Sequence, residues 1–159
     1  MPDRLTAREQ RELGRLVETL DWRRIRIYRP HGAGVSGWIR PVILWLSRNR
    51  AVALGNHVFL PDHCVSDLPV LAHELTHCAQ YQAWGAVRYF GRGAAAQLRD
   101  LLHRKLGIGS SPYRYHSVTG KPFNAYGMEQ QGQIVEDCFR GHPAARAISP
   151  FHPHQEPSS

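Results

Sequence analysis

The chain has 159 residues, 42% of them hydrophobic, with 20 Lys and Arg against 13 Asp and Glu for a net charge of +7. That length suits one domain with a real core, and a charged share of 21% argues against wholesale disorder. The longest apolar run, Pro41 to Leu46, falls far short of the roughly 20 residues that cross a bilayer, so no membrane span is expected. Thr6-Ala-Arg-Glu9 reads as a capping box, and Leu13, Leu16, Val17 and Leu20 recur at helical spacing, predicting one helix from Thr6 to Leu20. Arg24 to Tyr28 alternates polar and apolar residues as a half-buried strand does, and Pro30 ends it. His31 to Gly37 is glycine-rich and reads as a loop, followed by a short helix over Trp38 to Ser47. Ala51 to Leu54 and His57 to Leu60 read as two strand pieces around a Gly55-Asn56 turn.

From Leu68 to Trp84 the pattern is helical, with Asp67 placed as N-cap and Pro69 in the first turn. Gly85, Gly91 and Gly93 interrupt the next stretch, so a helix is expected only from Ala94 to Lys105, ending near Gly107. Ile108 to Phe123 reads as an aromatic loop and Asn124 to Arg140 as a final helix. Four prolines after Gly141 predict a disordered tail.

The chemistry lies in Leu71-Ala-His-Glu-Leu-Thr-His77, inside a window, Ala51 to Val87, that holds no Lys or Arg. On a helix, residues four apart sit one above the other, so His73 and His77 can reach one ion. Zinc accepts imidazole nitrogen and in catalytic sites keeps a position for water, whose pKa it lowers; Glu74, beside the first histidine, is placed to take that water's proton. The bland alternative is two hydrogen-bonded histidines and a solvated glutamate. Val70, Leu71, Leu75 and Ala79 weigh against it, because they bury this helix, and a buried acid between buried imidazoles is costly without a compensating partner.

A third ligand is needed. Gln80 and Ala83 stand where a His-x-x-Gly-x-x-His continuation would need Gly and His, so that arrangement is excluded. Downstream candidates are His103, His116, Glu129, Glu136 and Asp137. Glu129, Gly132, Gln133 and Glu136 share one helical face, and Gly132, lacking a side chain, lets that face approach another helix. Spacing alone leaves Glu129 and Glu136 or Asp137 open as alternatives. Gln133 and Asp137 are candidates to orient a ligand histidine, and Tyr113, Tyr115, His116 and Tyr126 to donate to a developing oxyanion.

Three stretches together resemble one family: Leu71 to His77 followed by Gln80-Tyr-Gln82, Ala53 to Leu60, and Tyr126 to Asp137. It is the zinc-metallopeptidase domain of bacterial proteins associated with contractile injection systems and Rhs/Vgr proteins, whose small stand-alone members are called Vgr-related. The resemblance runs from about Arg24 to Arg140. It implies a gluzincin-type site with His73, His77 and Glu129 as ligands and Glu74 as catalytic carboxylate. Family members often carry alanine where this chain has Gly132. Likeness to zincins further implies that His57 to Leu60 is an edge strand to which an extended peptide could add.

The expected fold is α+β and zincin-like, mostly helical with a small, mainly antiparallel sheet. Residues 1–22 are read as an N-terminal helix, 23–140 as the metallopeptidase domain and 141–159 as a disordered Pro-rich tail. The expected activity is zinc-dependent peptide hydrolysis with Glu74 as general base, acting on a protein or peptide. The alternative is a zinc-stabilised interaction or cargo module of a secretion system. Partners in a contractile-injection or type VI apparatus follow from the resemblance. The N-terminus shows no hydrophobic segment behind its charges, so the cytoplasm is the default address, with export by such an apparatus compatible with it. Without a secretory signal, the three cysteines read as reduced thiols. Eighteen of the 20 basic residues are Arg scattered among acids, so no nucleic-acid partner is expected.

Overall fold

The computed structural model describes residues 4–30, 36–107, 111, 113–118 and 120–153, with 36–38 described by their backbone alone. Of the glycine-rich loop, residues 31–35 lie outside the described residues. The fold is α+β: seven helices among the described residues surround one small sheet.

The capping box forms as the sequence predicts. The Thr6 hydroxyl accepts from the Glu9 amide at 3.2 Å, and the Glu9 carboxylate accepts from the Thr6 amide at 2.8 Å. The helix does not run unbroken to Leu20. Gly14, at φ +50°, splits it into α1 (Ala7–Leu13) and α2 (Arg15–Glu18). Side chains rarely adopt that conformation, whereas glycine does so at little steric cost. Leu13, Leu16 and Leu20 are buried in the core on both sides of the break.

Strands β1 (Arg26–Tyr28), β2 (Val52–Leu54) and β3 (His57–Phe59) form a sheet in the order β1-β3-β2. The β2–β3 pair is the antiparallel hairpin expected around Gly55-Asn56, with Val52 opposite Phe59. Gly55 sits at φ +65°, and a Cβ there would meet the Tyr81 ring at 3.2 Å. The β1–β3 pair is parallel, with Ile27 opposite Val58, so the sheet is mixed rather than mainly antiparallel. The reason is the connection. Helix α3 (Ser36–Leu46) carries the chain from β1 across to β2, which runs opposite to β1, and the hairpin turn then brings β3 back between them, parallel to β1. A second correction follows. β3 is the central strand, with both edges already paired, so it is not a free edge for an incoming peptide.

Helix α4 (Leu68–Trp84) keeps its expected bounds: Asp67 accepts from the Val70 amide at 3.1 Å, and Gly85 at φ +76° ends it. It is the central helix; every residue from Leu71 to Cys78 is buried. Helix α5 (Ala86–Leu106) starts eight residues before the sequence reading places it. Gly91 and Gly93 do not break it. Each costs about 1 kcal/mol relative to alanine, and the surrounding Ala, Leu and Arg residues carry the helix through. Tyr89 also anchors its first turn, donating to the Ala53 carbonyl at 2.9 Å.

After a 3-10 turn at Phe123–Ala125, helix α6 (Met128–Phe139) packs on α4 more extensively than any other pair of elements. The stretch read as a disordered tail is ordered as far as it is described. Pro143–Ile148 forms α7, with Pro143 in its first turn, Ala145 is buried, and Phe151 meets Phe123 edge-on at 6.0 Å. Pro143 sits at the helix start and Pro150 and Pro153 beyond its end, where they break no helical hydrogen bond. Residues 154–159 lie outside the described residues. The core gathers Leu13, Leu16, Ile27, Val58, Leu75 and Val135, each fully buried and worth roughly 1.5–3 kcal/mol of transfer free energy. No described helix is long and apolar enough to cross a membrane.

Candidate metal centre

Two consecutive turns of α4 bring the imidazoles of His73 and His77 together, Nε2 to Nε2 at 3.1 Å. Helix α6 crosses directly above them and delivers Glu129, whose Oε2 lies 3.5 Å from His77 Nε2. All three residues are buried, and their ligand atoms lie within 4.8 Å of one another. Gly132 lets the two helices approach this closely with His73 in its present place. A Cβ at that position would stand 2.8 Å from His73 Nε2 and 2.9 Å from Cδ2, closer than real contacts allow.

The outward ring nitrogens decide which face of each imidazole is free to ligate. Gln80 donates its amide to the Met128 carbonyl at 3.1 Å and to Gln131 Oε1 at 3.0 Å. Its Oε1 is therefore left as acceptor, 2.8 Å from His77 Nδ1. That nitrogen carries a hydrogen, so Nε2 is the atom left facing the cluster, able to ligate once its own proton is displaced. His73 Nδ1 likewise donates to Glu136 Oε2 at 3.0 Å. Arg140 grips the other Glu136 oxygen at 2.9 Å and reaches Asp67, the cap of α4, at 3.2 Å. Two inward-facing imidazole nitrogens and a carboxylate are a donor set that suits a tetrahedral cation with one further position.

The electrostatics ask for positive charge at the same point. Burial alone would lower His77, but Glu129, Glu74 and Gln80 outweigh it and push it up to about 9. Burial opposes ionisation of Glu129 too, yet the two histidines and Arg50 hold it below its usual range. Glu136 behaves alike: burial opposes, while His73 and Arg140 prevail and lower it. Glu74 goes the other way. Burial raises it, and Glu129 and Glu136 add to that against the two imidazoles, so its carboxylate is an unusually avid proton acceptor.

The structure sorts the sequence candidates. Glu129 joins the two histidines, while Glu136 lies on the far side of His73 and orients it. Asp137 faces away, accepting from the Tyr115 hydroxyl at 2.8 Å and the Gln133 amide at 2.9 Å, so neither Asp137 nor Gln133 orients a ligand histidine. The Tyr126 hydroxyl donates to the His116 carbonyl and accepts from the Val118 amide, both at 3.3 Å. Tyr115 thus ties its loop to α6, and Tyr126 ties His116 and Val118 to the turn just before that helix. His116 itself is exposed, and His103 lies on α5, outside the cluster.

Gln80 and Arg50 escaped the sequence reading as site residues. A signal for Gln80 was present: it stands three residues after His77, on the same helix face. Arg50 had none. It lies over the Tyr113 ring at 5.2 Å and its charge is felt at Glu129, as Glu129's is at Tyr113. Cys78 points into the core, where burial drives its thiol far up, and all three cysteines are free.

An α+β domain whose central helix carries an HExxH pair, completed by a glutamate from the helix packed on it, is what fold and site define. Its sequence relationship points to injection machinery: the family model of the eCIS core domain matches residues 47–85 and links the chain to extracellular contractile injection system proteins. The matched segment spans the β2–β3 hairpin and all of α4, and so includes His73, Glu74 and His77. No curated protein and no solved structure matches the chain.

Proposed function

We propose that the chain is a zinc-dependent metallopeptidase associated with a contractile injection or type VI apparatus, acting on a protein or peptide. The observation that carries this reading is the convergence of His73 Nε2, His77 Nε2 and a Glu129 oxygen within 4.8 Å, with the buried Glu74 next to the first ligand. These three residues would hold the ion. Bound zinc supplies Lewis acidity toward a substrate carbonyl and acidifies water near neutral pH. Glu74 accepts the proton released by the attacking water at its carboxylate and returns it to the leaving amine. Its raised proton affinity suits that double task. Glu136 and Gln80 keep both imidazoles turned with Nε2 inward throughout. Tyr113, half-buried with Arg50 over its ring at 5.2 Å, would be the donor to the developing oxyanion.

A second reading is a zinc-held module without activity, serving cargo recognition. It draws on the same geometry, because the triad bridges α4 and α6, the most extensive packing in the fold. Glu74 separates the two, since a purely structural site gains nothing from a buried carboxylate there.

The test is metal analysis of the purified chain, followed by digestion of a peptide library. About one zinc per chain is expected, lost in His73→Ala. Glu74→Gln should keep the metal and lose hydrolysis by about 100-fold or more. Wild-type chain that binds zinc yet cleaves nothing leaves the module reading; hydrolysis undiminished in Glu74→Gln removes the mechanism.

A further inference from the structure

Helix α5 is 21 residues long, yet only Tyr89 and Asp100 of it are buried. Its outer face repeats Val87, Phe90, Ala94, Leu98 and Leu101 at steps of three and four, which sets them in one stripe along the helix. Val87 is 89% exposed, and Phe90, Leu98 and Leu101 are each about half exposed. Alongside the stripe runs a border of Arg88, Arg92 and Arg99. The helix holds five Arg and Lys against one acid, Asp100, and that carboxylate is already taken by Arg104 at 2.6 Å.

Between the stripe and its border the helix narrows. Gly91 and Ala95, beside Ala94 of the stripe, are small and exposed, and a Cβ added to Gly91 would meet nothing within 4 Å. A glycine inside a helix weakens it, and no described residue uses the space that this one leaves. The result is a shallow waist with bulky apolar residues at both ends and a cationic rim.

We propose that this face of α5 is a docking surface for an acidic amphipathic helix of another protein. A crossing helix fills the waist at close backbone distance, and its apolar residues pack beside Val87 and Phe90 at one end and Leu98 and Leu101 at the other. Its Asp and Glu side chains meet the arginine rim, which has no acid of its own left to pair with. A second copy of this chain docking through the same helix fits poorly, because it sets five cations and one paired acid against the same set. An anionic lipid surface satisfies the charge but leaves the waist unfilled. The inference stands apart from the metal centre and is independent of any hydrolytic activity.

The experiment uses the full chain and two labelled synthetic helical peptides with identical leucine spacing, one carrying glutamate and one lysine at the remaining positions. Binding is read by fluorescence anisotropy. The glutamate peptide should bind at least about tenfold more tightly than the lysine peptide. Arg88→Glu with Arg99→Glu should remove that preference. Gly91→Leu fills the waist and should weaken binding about tenfold. Because leucine favours helix over glycine, this loss cannot be assigned to unfolding, and an unchanged melting temperature checks it. Equal binding of the two peptides overturns the proposal, as does a Gly91→Leu chain that binds like wild type. Preference for phosphatidylglycerol vesicles over the glutamate peptide assigns the face to lipid instead. Concentration-dependent dimers in sedimentation equilibrium, dissolved by Leu98→Glu, assign it to self-association.

Discussion

Glu136 and Gln80 contribute to the centre through another residue's ring. Each holds one imidazole by Nδ1, so that both Nε2 atoms face inward. Replacing Gln80 by Ala removes the acceptor and the two donations that fix it between α4 and α6. The expected result is a loss of about 10–100-fold in zinc affinity, measured by competition with a chromophoric chelator, with the helical circular-dichroism signal retained. Gly132 acts by what it lacks. Gly132→Val sets a branched side chain where even a Cβ would stand 2.8 Å from His73 Nε2. The ring must leave its place beneath α6, so bound zinc per chain should fall well below one. An undisturbed zinc content in this variant would mean that the helix crossing is more yielding than its geometry indicates.

At the level of elements, α4 is the platform and α6 the counterpart that completes the centre. The short α7 earns its place by covering α6: Ala145 is buried, and the Cys138 thiol, fully buried, donates to the Phe151 carbonyl at 3.2 Å. A chain ending at Arg140 uncovers that surface. Its melting temperature should drop by several degrees, and Cys138 should become reactive toward a thiol reagent that leaves it untouched in the full chain. Protection of Cys138 in the shortened chain would show that α7 is dispensable to the core. The break at Gly14 belongs to this scale too: the chain turns there at φ +50° while Leu13, Leu16 and Leu20 stay in one core.

For the whole molecule, the buried acids and imidazoles tie stability to pH. In the metal-free chain, His77 sits at about 9 against an ordinary 6.5. Its proton therefore stabilises the fold fully below about 6.5, and that contribution fades as pH rises through 9. Glu74, raised by burial, acts in the same direction. Glu129 and Glu136, both lowered, contribute above their ordinary 4.5, and that contribution is lost as pH falls. Melting curves with chelator present should show greatest stability near pH 5–6 and a decline toward pH 9. Zinc supplies the positive charge in place of the proton, so with zinc the alkaline decline should disappear and the melting temperature should rise throughout that range. A metal-free chain as stable at pH 9 as at pH 6 would contradict this account of the centre.

What could be read from the residues alone is local. His73, Glu74 and His77 fall on one helix face by spacing, Thr6 and Asp67 declare helix starts, and Gly132 announces a close approach. Each of these depends on neighbours within a turn or two. What only the tertiary structure decided is which distant groups meet. Three acids stand on α6, and Glu129 and Glu136 lie about 10 Å apart along the helix, straddling His73. The crossing of α6 over α4 makes Glu129 the candidate ligand and Glu136 the orienting group. The same holds for β1, paired in parallel with β3, for Arg50 arriving over Tyr113, and for α7 folding onto α6. Hydrophobic burial and helix packing act between segments far apart in the chain, and no local pattern records the partner that each will find.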